Sequence, residues 1–488
     1  MQKLITLCSS PYDPSSWHEK SKIAFEELFG TPNGRYSKAA FNTVKFRTPK
    51  LDGDKNVPFS AIINPSAPDS GGYSGMSIVI FPVKEGPPMI AMVVGTMGLS
   101  PDEHILGKPG HSRIVNAITR WLNHSYKDST DQRPIAWAKQ EALRIDKTVP
   151  ESVQNSFPHY KEIFNKYGKE IYGFCEGNNR VLDLSLKAFL DLNFEERGYL
   201  PLASYQDEHK ELKSKYFDFL MPKINENGVF DLLKARKYLV LQGPPGTGKT
   251  RLSQNLVHEF YNGNGTTIQF HPNTTYETFI GGLFPESSGN KELGLNFSLK
   301  KGSLLEAVEA AKQVAPKDYL LVIDEINRAD LAKVLGEAIF CLEPYEKREV
   351  KLNYDYEGIG NKLTLPKNLH ILGTMNTADR SIAILDVAIR RRFAFVDLWP
   401  DISVIEKLGT PDSLRLYQSL LSVFIQYANE DSMPLMPGHS YFIKYEGMNQ
   451  SDYLKTNLLP LLHEYMVNGY VSSFADHIHS FMQEVESL

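Results

Sequence analysis

The chain has 488 residues, enough for several domains and for a core that needs no disulfide or metal staple. Apolar residues make up 42% and charged residues 23%, the balance of a folded soluble protein. The net charge of −5 gives no whole-chain attraction to nucleic acid, although a local basic face can act inside an acidic protein.

No stretch reaches the roughly 18 uninterrupted apolar residues of a membrane span. The start, Met1 to Cys8, is too short and too polar for a signal peptide. Cys8, Cys175 and Cys341 are far apart and fit no metal spacing, so a reducing, cytoplasmic setting is expected.

Ala61-Ile-Ile, Ser77-Ile-Val-Ile-Phe-Pro and Met89-Ile-Ala-Met-Val-Val-Gly read as strands, with Glu85-Gly-Pro-Pro as a turn between the last two. Ile114, Ile118, Trp121 and Leu122 have helical spacing. Trp17, Tyr36, Lys45, Arg47, Tyr73 and Lys108 to Arg113 supply aromatic and basic groups that could serve a target or simply the core. Gly107-Lys-Pro-Gly-His-Ser-Arg is a loop before a helix, able to meet a DNA phosphate or to cap that helix. Residues 125–200 read as mostly helical, and a charged helical stretch near Glu208 leads into the second half.

From Lys237 the pattern becomes strand, Gly-rich loop, helix, which argues for a parallel sheet with crossover helices. Leu239-Val-Leu-Gln runs into Gly243-Pro244-Pro245-Gly246-Thr247-Gly248-Lys249-Thr250, and a helix follows. This is G-x-x-x-x-G-K-[ST] in its required context. The glycines let backbone N–H groups curl around phosphates. Lys249 is placed to reach the β and γ phosphates, and Thr250 to offer its hydroxyl to Mg²⁺.

Tyr319-Leu-Leu-Val-Ile is an apolar strand ending in Asp324 and Glu325. Asp324 is expected in the Mg²⁺ shell, and Glu325 is expected to polarise the attacking water. A further strand, His370-Ile-Leu-Gly-Thr-Met, ends in Asn376, a candidate for orienting that water. Asp386-Val-Ala-Ile then leads to Arg390-Arg391-Arg392-Phe, from which an arginine could reach a neighbouring subunit's γ-phosphate. After about Asp401 the chain reads as an α-helical lid.

Asp324-Glu-Ile-Asn-Arg-Ala-Asp, Met375-Asn-Thr-Ala-Asp-Arg-Ser and Arg390-Arg-Arg-Phe together resemble the McrB-like motor subunits of McrBC-type modification-dependent restriction systems. Gln269-Phe-His-Pro, Tyr276-Glu-Thr-Phe-Ile and Pro437-Gly-His-Ser-Tyr-Phe resemble further segments of that family, so the likeness spans about residues 237–470. The resemblance implies a hexameric AAA+ ring hydrolysing GTP, and an McrC-like partner that carries the nuclease and acts on DNA. It implies Asn376 as sensor, Asp379 as part of the Asn-Thr-Ala-Asp element, Arg391 as the trans-acting arginine with Arg392 beside it, and Asn327 and Arg328 as further contributors at the nucleotide site. The residues themselves leave ATP open. Pro400-Asp401 with Glu406-Lys407 fails the P-D…(D/E)-x-K nuclease pattern, because the lysine directly follows the acid.

The expected fold is therefore α/β: a mixed α/β amino-terminal domain for target recognition or partner binding with a helical connector (1–200), an AAA+ P-loop core with helices on both faces of a parallel sheet (201–400), and a helical lid (401–488). The competing reading is a MoxR-like chaperone ATPase that remodels a protein partner.

Overall fold

A computed structural model describes residues 1–30, 32–47, 57–68, 74–96, 102–126, 133–286, 296–379 and 387–488. Tyr73, Arg380, Ser381 and Asp386 lie outside the described residues. The chain forms two compact units, Met1–Met221 with Ile425–Asn429, and Pro222–Phe424 with Glu430–Leu488.

In the first unit the strands are β1 (Lys45–Arg47), β2 (Ser60–Ile63), β3 (Met76–Phe81), β4 (Met89–Val94), β5 (Ala136–Ala138) and β6 (Ile171–Glu176). They form an antiparallel sheet in the order β1-β2-β3-β4-β6-β5. Both faces are covered, so β3 and β4 are buried at every residue and read as near-continuous apolar runs, with Ser77 the one polar side chain between them. Ile78, Ile80, Ile90 and Met92 pack with Ile118 of the helix Pro109–Ser125 and Phe189 of the helix Leu182–Glu195. Val79, Phe81, Ala91 and Val93 point the other way, against Phe157, Tyr160 and Phe164.

The helical expectation for residues 125–200 needs correction, because β5 and β6 fall within it. Ile171-Tyr-Gly-Phe-Cys-Glu is short and buried on both faces, so it lacks the alternation that marks a half-exposed strand. Trp17 is a core residue whose Nε1 donates to Ser60 Oγ at 2.8 Å. Tyr36 is also core, donating to Asp191 Oδ1 at 2.6 Å, while Arg35 clamps the same carboxylate through Nε and Nη2 at 2.7 and 2.6 Å. Within residues 107–113, Pro109 already opens the helix. His111 is buried between Glu196 and Tyr172, and Ser112 Oγ accepts from the Ala142 N–H. Those two side chains therefore pack inward.

The second unit contains β7 (Tyr238–Gly243), β8 (Gly265–Gln269), β9 (Gly281–Glu286), β10 (Asn296–Lys301), β11 (Tyr319–Asp324), β12 (Val350–Tyr356), β13 (Gly360–Leu363), β14 (Leu369–Asn376) and β15 (Ala394–Asp397). Five of them make a parallel sheet in the order β15-β7-β14-β11-β8, while β9 with β10 and β12 with β13 form separate antiparallel pairs. Leu239, Leu241, Leu320 and Val322 face Val229, Leu233, Leu256 and Tyr261. Tyr238, Val240, Leu321 and Ile323 face Leu305 and Val308 of the helix Ser303–Val314. This alternation buries both faces under helices, each large apolar side chain contributing roughly 1.5–3 kcal/mol. Asn376 is in register with Gly243, and Gly373 with Ile323, so the carboxyl ends of β7, β11 and β14 share one edge. Helices Ile402–Leu408, Leu459–Val467 and Ala475–Glu486 follow. Among the described residues, no helix is long and apolar enough to cross a membrane.

Candidate active site

At the edge where ligands bind in open α/β sheets, β7 turns into the Gly-rich loop. Gly248 caps the helix Lys249–Asn255 with φ of 82°. Gly246, with φ of 81°, is in the left-handed region that favours glycine. Lys249 is buried and its Nζ donates to the Gly243 and Pro244 carbonyls at 3.0 and 2.7 Å. Burial pulls its ammonium down to about 8, against the opposing pull of Glu325, Asp324 and Asp379. Thr247 Oγ1 also donates to the Pro244 carbonyl, at 3.0 Å.

The lid packs directly on this loop. Gly438 N–H donates to the Pro245 carbonyl at 2.9 Å, and Ser440 N–H to the Gly246 carbonyl at 3.0 Å. A Cβ on Gly438 would lie 2.0 Å from the Gly246 carbonyl carbon, so only glycine fits. His439 Nδ1 accepts from the Asp401 N–H at 3.1 Å.

Across the loop, Thr250 Oγ1 donates to Asp324 Oδ1 at 3.2 Å. Asn376 Nδ2 donates to Glu325 Oε1 at 2.7 Å. Glu325 has φ of 54°, a left-handed backbone that costs a non-glycine residue about 1–2 kcal/mol. Burial raises its carboxyl above the ordinary range; Arg328 and Lys249 lower it, while Asp379 and Asp324 reinforce the rise. Arg328 lies between two acids, with Nε 3.5 Å from Glu325 Oε2 and Nη2 3.7 Å from Asp379 Oδ2. Glu325 Oε2, Asp379 Oδ2 and the Oδ1 of buried Asn327 are enclosed without a hydrogen bond. The oxygens that fit a small divalent cation and its waters are instead Thr250 Oγ1 and Asp324 Oδ1, hard donors 3.2 Å apart at the end of the phosphate loop.

The structure thus gathers Gly243 to Thr250, Asp324, Glu325, Arg328, Asn376 and Asp379 at one edge. Arg391 and Arg392 are placed apart from them. Both reach Glu343 Oε1, at 3.5 and 3.6 Å, but Arg391 is 70% exposed and Arg392 only 9%. Arg392 also donates to the Ala388 carbonyl at 2.9 Å. One residue escaped the sequence reading. Thr374 sits between Asp324 and Glu325, and its only signal was a hydroxyl among the apolar residues of β14.

The AAA domain family (dynein-related subfamily) matches residues 238–393. The "Type IV methyl-directed restriction enzyme EcoKMcrB subunit" of Escherichia coli (strain K12) is 30% identical over 355 residues, covering 66% of this chain and 75% of that protein. The "Type II restriction enzyme BsuMI component YdiS" of Bacillus subtilis (strain 168) is 28% identical over 189 residues, 32% of this chain and 55% of that one. An "Uncharacterized protein YehL" of Escherichia coli (strain K12) is 28% identical over 174 residues, 35% of this chain and 43% of its own length. With its phosphate loop, strand-end acids and strand-end asparagine on one sheet edge, this chain belongs to the McrB-like family of AAA+ restriction-system subunits.

Proposed function

We propose that this chain is a nucleotide-driven motor. It binds and hydrolyses GTP or ATP with Mg²⁺ in a ring-shaped, hexameric oligomer. It drives a separate McrC-like nuclease on DNA, in restriction and defence against phage. The observation that carries the reading is the convergence of Lys249, Thr250, Asp324, Glu325 and Asn376 at the carboxyl edge of one parallel sheet.

In this reading the backbone N–H groups of Gly246 to Thr250 cradle the phosphates, and Lys249 exchanges its loop carbonyls for phosphate oxygens. Thr250 and Asp324 are the residues that would hold Mg²⁺, which when bound would offset the charge gathering on the phosphates. Glu325 accepts the proton of the attacking water, and Asn376 fixes both that carboxylate and the water. Asn327, Arg328 and Asp379 shape the edge of the site. Arg391, exposed on its own subunit, reaches a neighbour's nucleotide, with Arg392 supporting it from beneath. Residues 1–200 select the DNA target or a partner, 201–400 are the motor, and 401–488 are the lid. The unpaired thiols of Cys8, Cys175 and Cys341 are consistent with a cytoplasmic setting.

The test is hydrolysis of GTP and of ATP by the purified chain, with and without the product of a neighbouring gene bearing P-D…(D/E)-x-K. Turnover of one nucleotide, stimulated by that partner, is expected. No hydrolysis of either nucleotide under any partner condition would overturn the motor reading. Stimulation by a protein substrate instead would favour the chaperone class.

A further inference from the structure

We infer that the Thr374 hydroxyl is a positioning group that sets the two site acids as one unit, and with them the affinity for Mg²⁺. The inference rests on the nucleotide-hydrolase reading above. Thr374 lies on β14, one residue beyond the Gly373–Ile323 register pair, so its side chain meets the end of β11. It is buried. Its Oγ1 donates to Asp324 Oδ1 at 2.5 Å and accepts from the Glu325 N–H at 3.2 Å.

A strand threonine usually satisfies its hydroxyl on nearby backbone or in water. Here both directions of the hydroxyl are spent on adjacent residues with different expected tasks. The bond to Asp324 is charge-assisted, and it converges with that of Thr250 on the same carboxylate oxygen, fixing the rotation of the carboxylate. The bond from Glu325 holds the N–H of a residue whose φ of 54° is otherwise unfavourable. That backbone twist aims the Glu325 side chain at Asn376. Without the hydroxyl, Asp324 is free to turn and Glu325 loses one restraint on its strained backbone. Lys249 and the loop amides are untouched, so contact with the phosphates themselves persists.

The experiment uses the full chain with Thr374→Val, which keeps shape and branching but removes the hydroxyl, and Thr374→Ser, which keeps the hydroxyl. Fluorescent nucleotide binding is titrated with and without Mg²⁺, and turnover is measured in parallel. The expected result for Thr374→Val is metal-free nucleotide affinity within about threefold of the wild type. Its Mg²⁺ half-saturation in the binding titration should rise roughly tenfold or more, and kcat should fall roughly 10- to 100-fold. Thr374→Ser should recover both. Wild-type Mg²⁺ dependence and turnover in Thr374→Val would overturn the inference, as would equal losses in the Ser variant. If Thr374→Val fails to fold while Thr374→Ser folds, the hydroxyl is a folding group and the inference is overturned. A wild-type chain that hydrolyses nothing would instead count against the motor reading.

Discussion

Asn376 Nδ2 donates to Glu325 Oε1 across 2.7 Å, joining the end of β14 to the residue just past β11. The second oxygen of Glu325 has no hydrogen bond, and burial holds its carboxyl above the ordinary range. One oxygen is fixed by Asn376, and the other faces the Arg328 guanidinium at 3.5 Å.

Glu325→Gln separates binding from turnover. Glutamine can still offer its carbonyl oxygen to Asn376, but it carries no charge with which to take a proton. Nucleotide binding should persist, and phosphate release should fall on the order of 10²-fold or more. Retained turnover would refute the proposed role of Glu325.

Arg391 differs from Arg392 in exposure, 70% against 9%, although both reach Glu343. An exposed guanidinium near its own subunit's Glu343 is available to a neighbour. Arg391→Ala should lower turnover by roughly 10³-fold, the scale of a trans-acting arginine. Rings mixed from Arg391→Ala and Glu325→Gln subunits should regain activity, because one subunit supplies the arginine and the other the acid. Mixed rings that stay inactive would sink the shared-site proposal.

The strand–loop–helix around Lys249 and the strand ending at Asp324 were legible in sequence because each has a local pattern: apolar run, then polar groups fixed by chemistry. Local pattern failed at Ile171–Glu176, where burial on both faces erases alternation. It also failed at Thr374, whose partners belong to another strand, so only the β11–β14 register reveals its role. The lid motif at Gly438 was recognisable by resemblance, but its hydrogen bonds to Pro245 and Gly246 depend on long-range folding. Trp17 and Tyr36 show the converse: aromatics open to a ligand reading are satisfied within the core by Ser60 and Asp191.

Gly438→Ala tests the lid contact. The added methyl would stand 2.0 Å from the Gly246 carbonyl carbon, a backbone atom that cannot swing aside. Relief requires the lid segment or the phosphate loop to shift, at a cost of about 1–3 kcal/mol. A thermal melt should show lowered stability, and nucleotide affinity should drop with it. An unchanged melting temperature together with unchanged affinity would mean that the lid does not brace the loop.

His370 supplies a pH prediction away from the chemistry. Its Nδ1 pairs with the Tyr261 hydroxyl at 2.5 Å in the core behind β14. Burial pulls its pKa from 6.5 down to about 4; Lys234 and Lys237 add to the fall, and Asp318 opposes it. The folded chain therefore resists protonation that the unfolded chain accepts. Its contribution is fully present above pH 6.5 and is lost as pH falls toward 4, by up to about 3 kcal/mol at the low end. Denaturant melts of the wild type and His370→Gln between pH 7 and 4.5 read this difference directly, since carboxylates common to both chains cancel. The wild type should lose more stability than the variant over that window, with most of the divergence below pH 6. Parallel curves would show that His370 is protonated as readily in the folded chain as in the unfolded one.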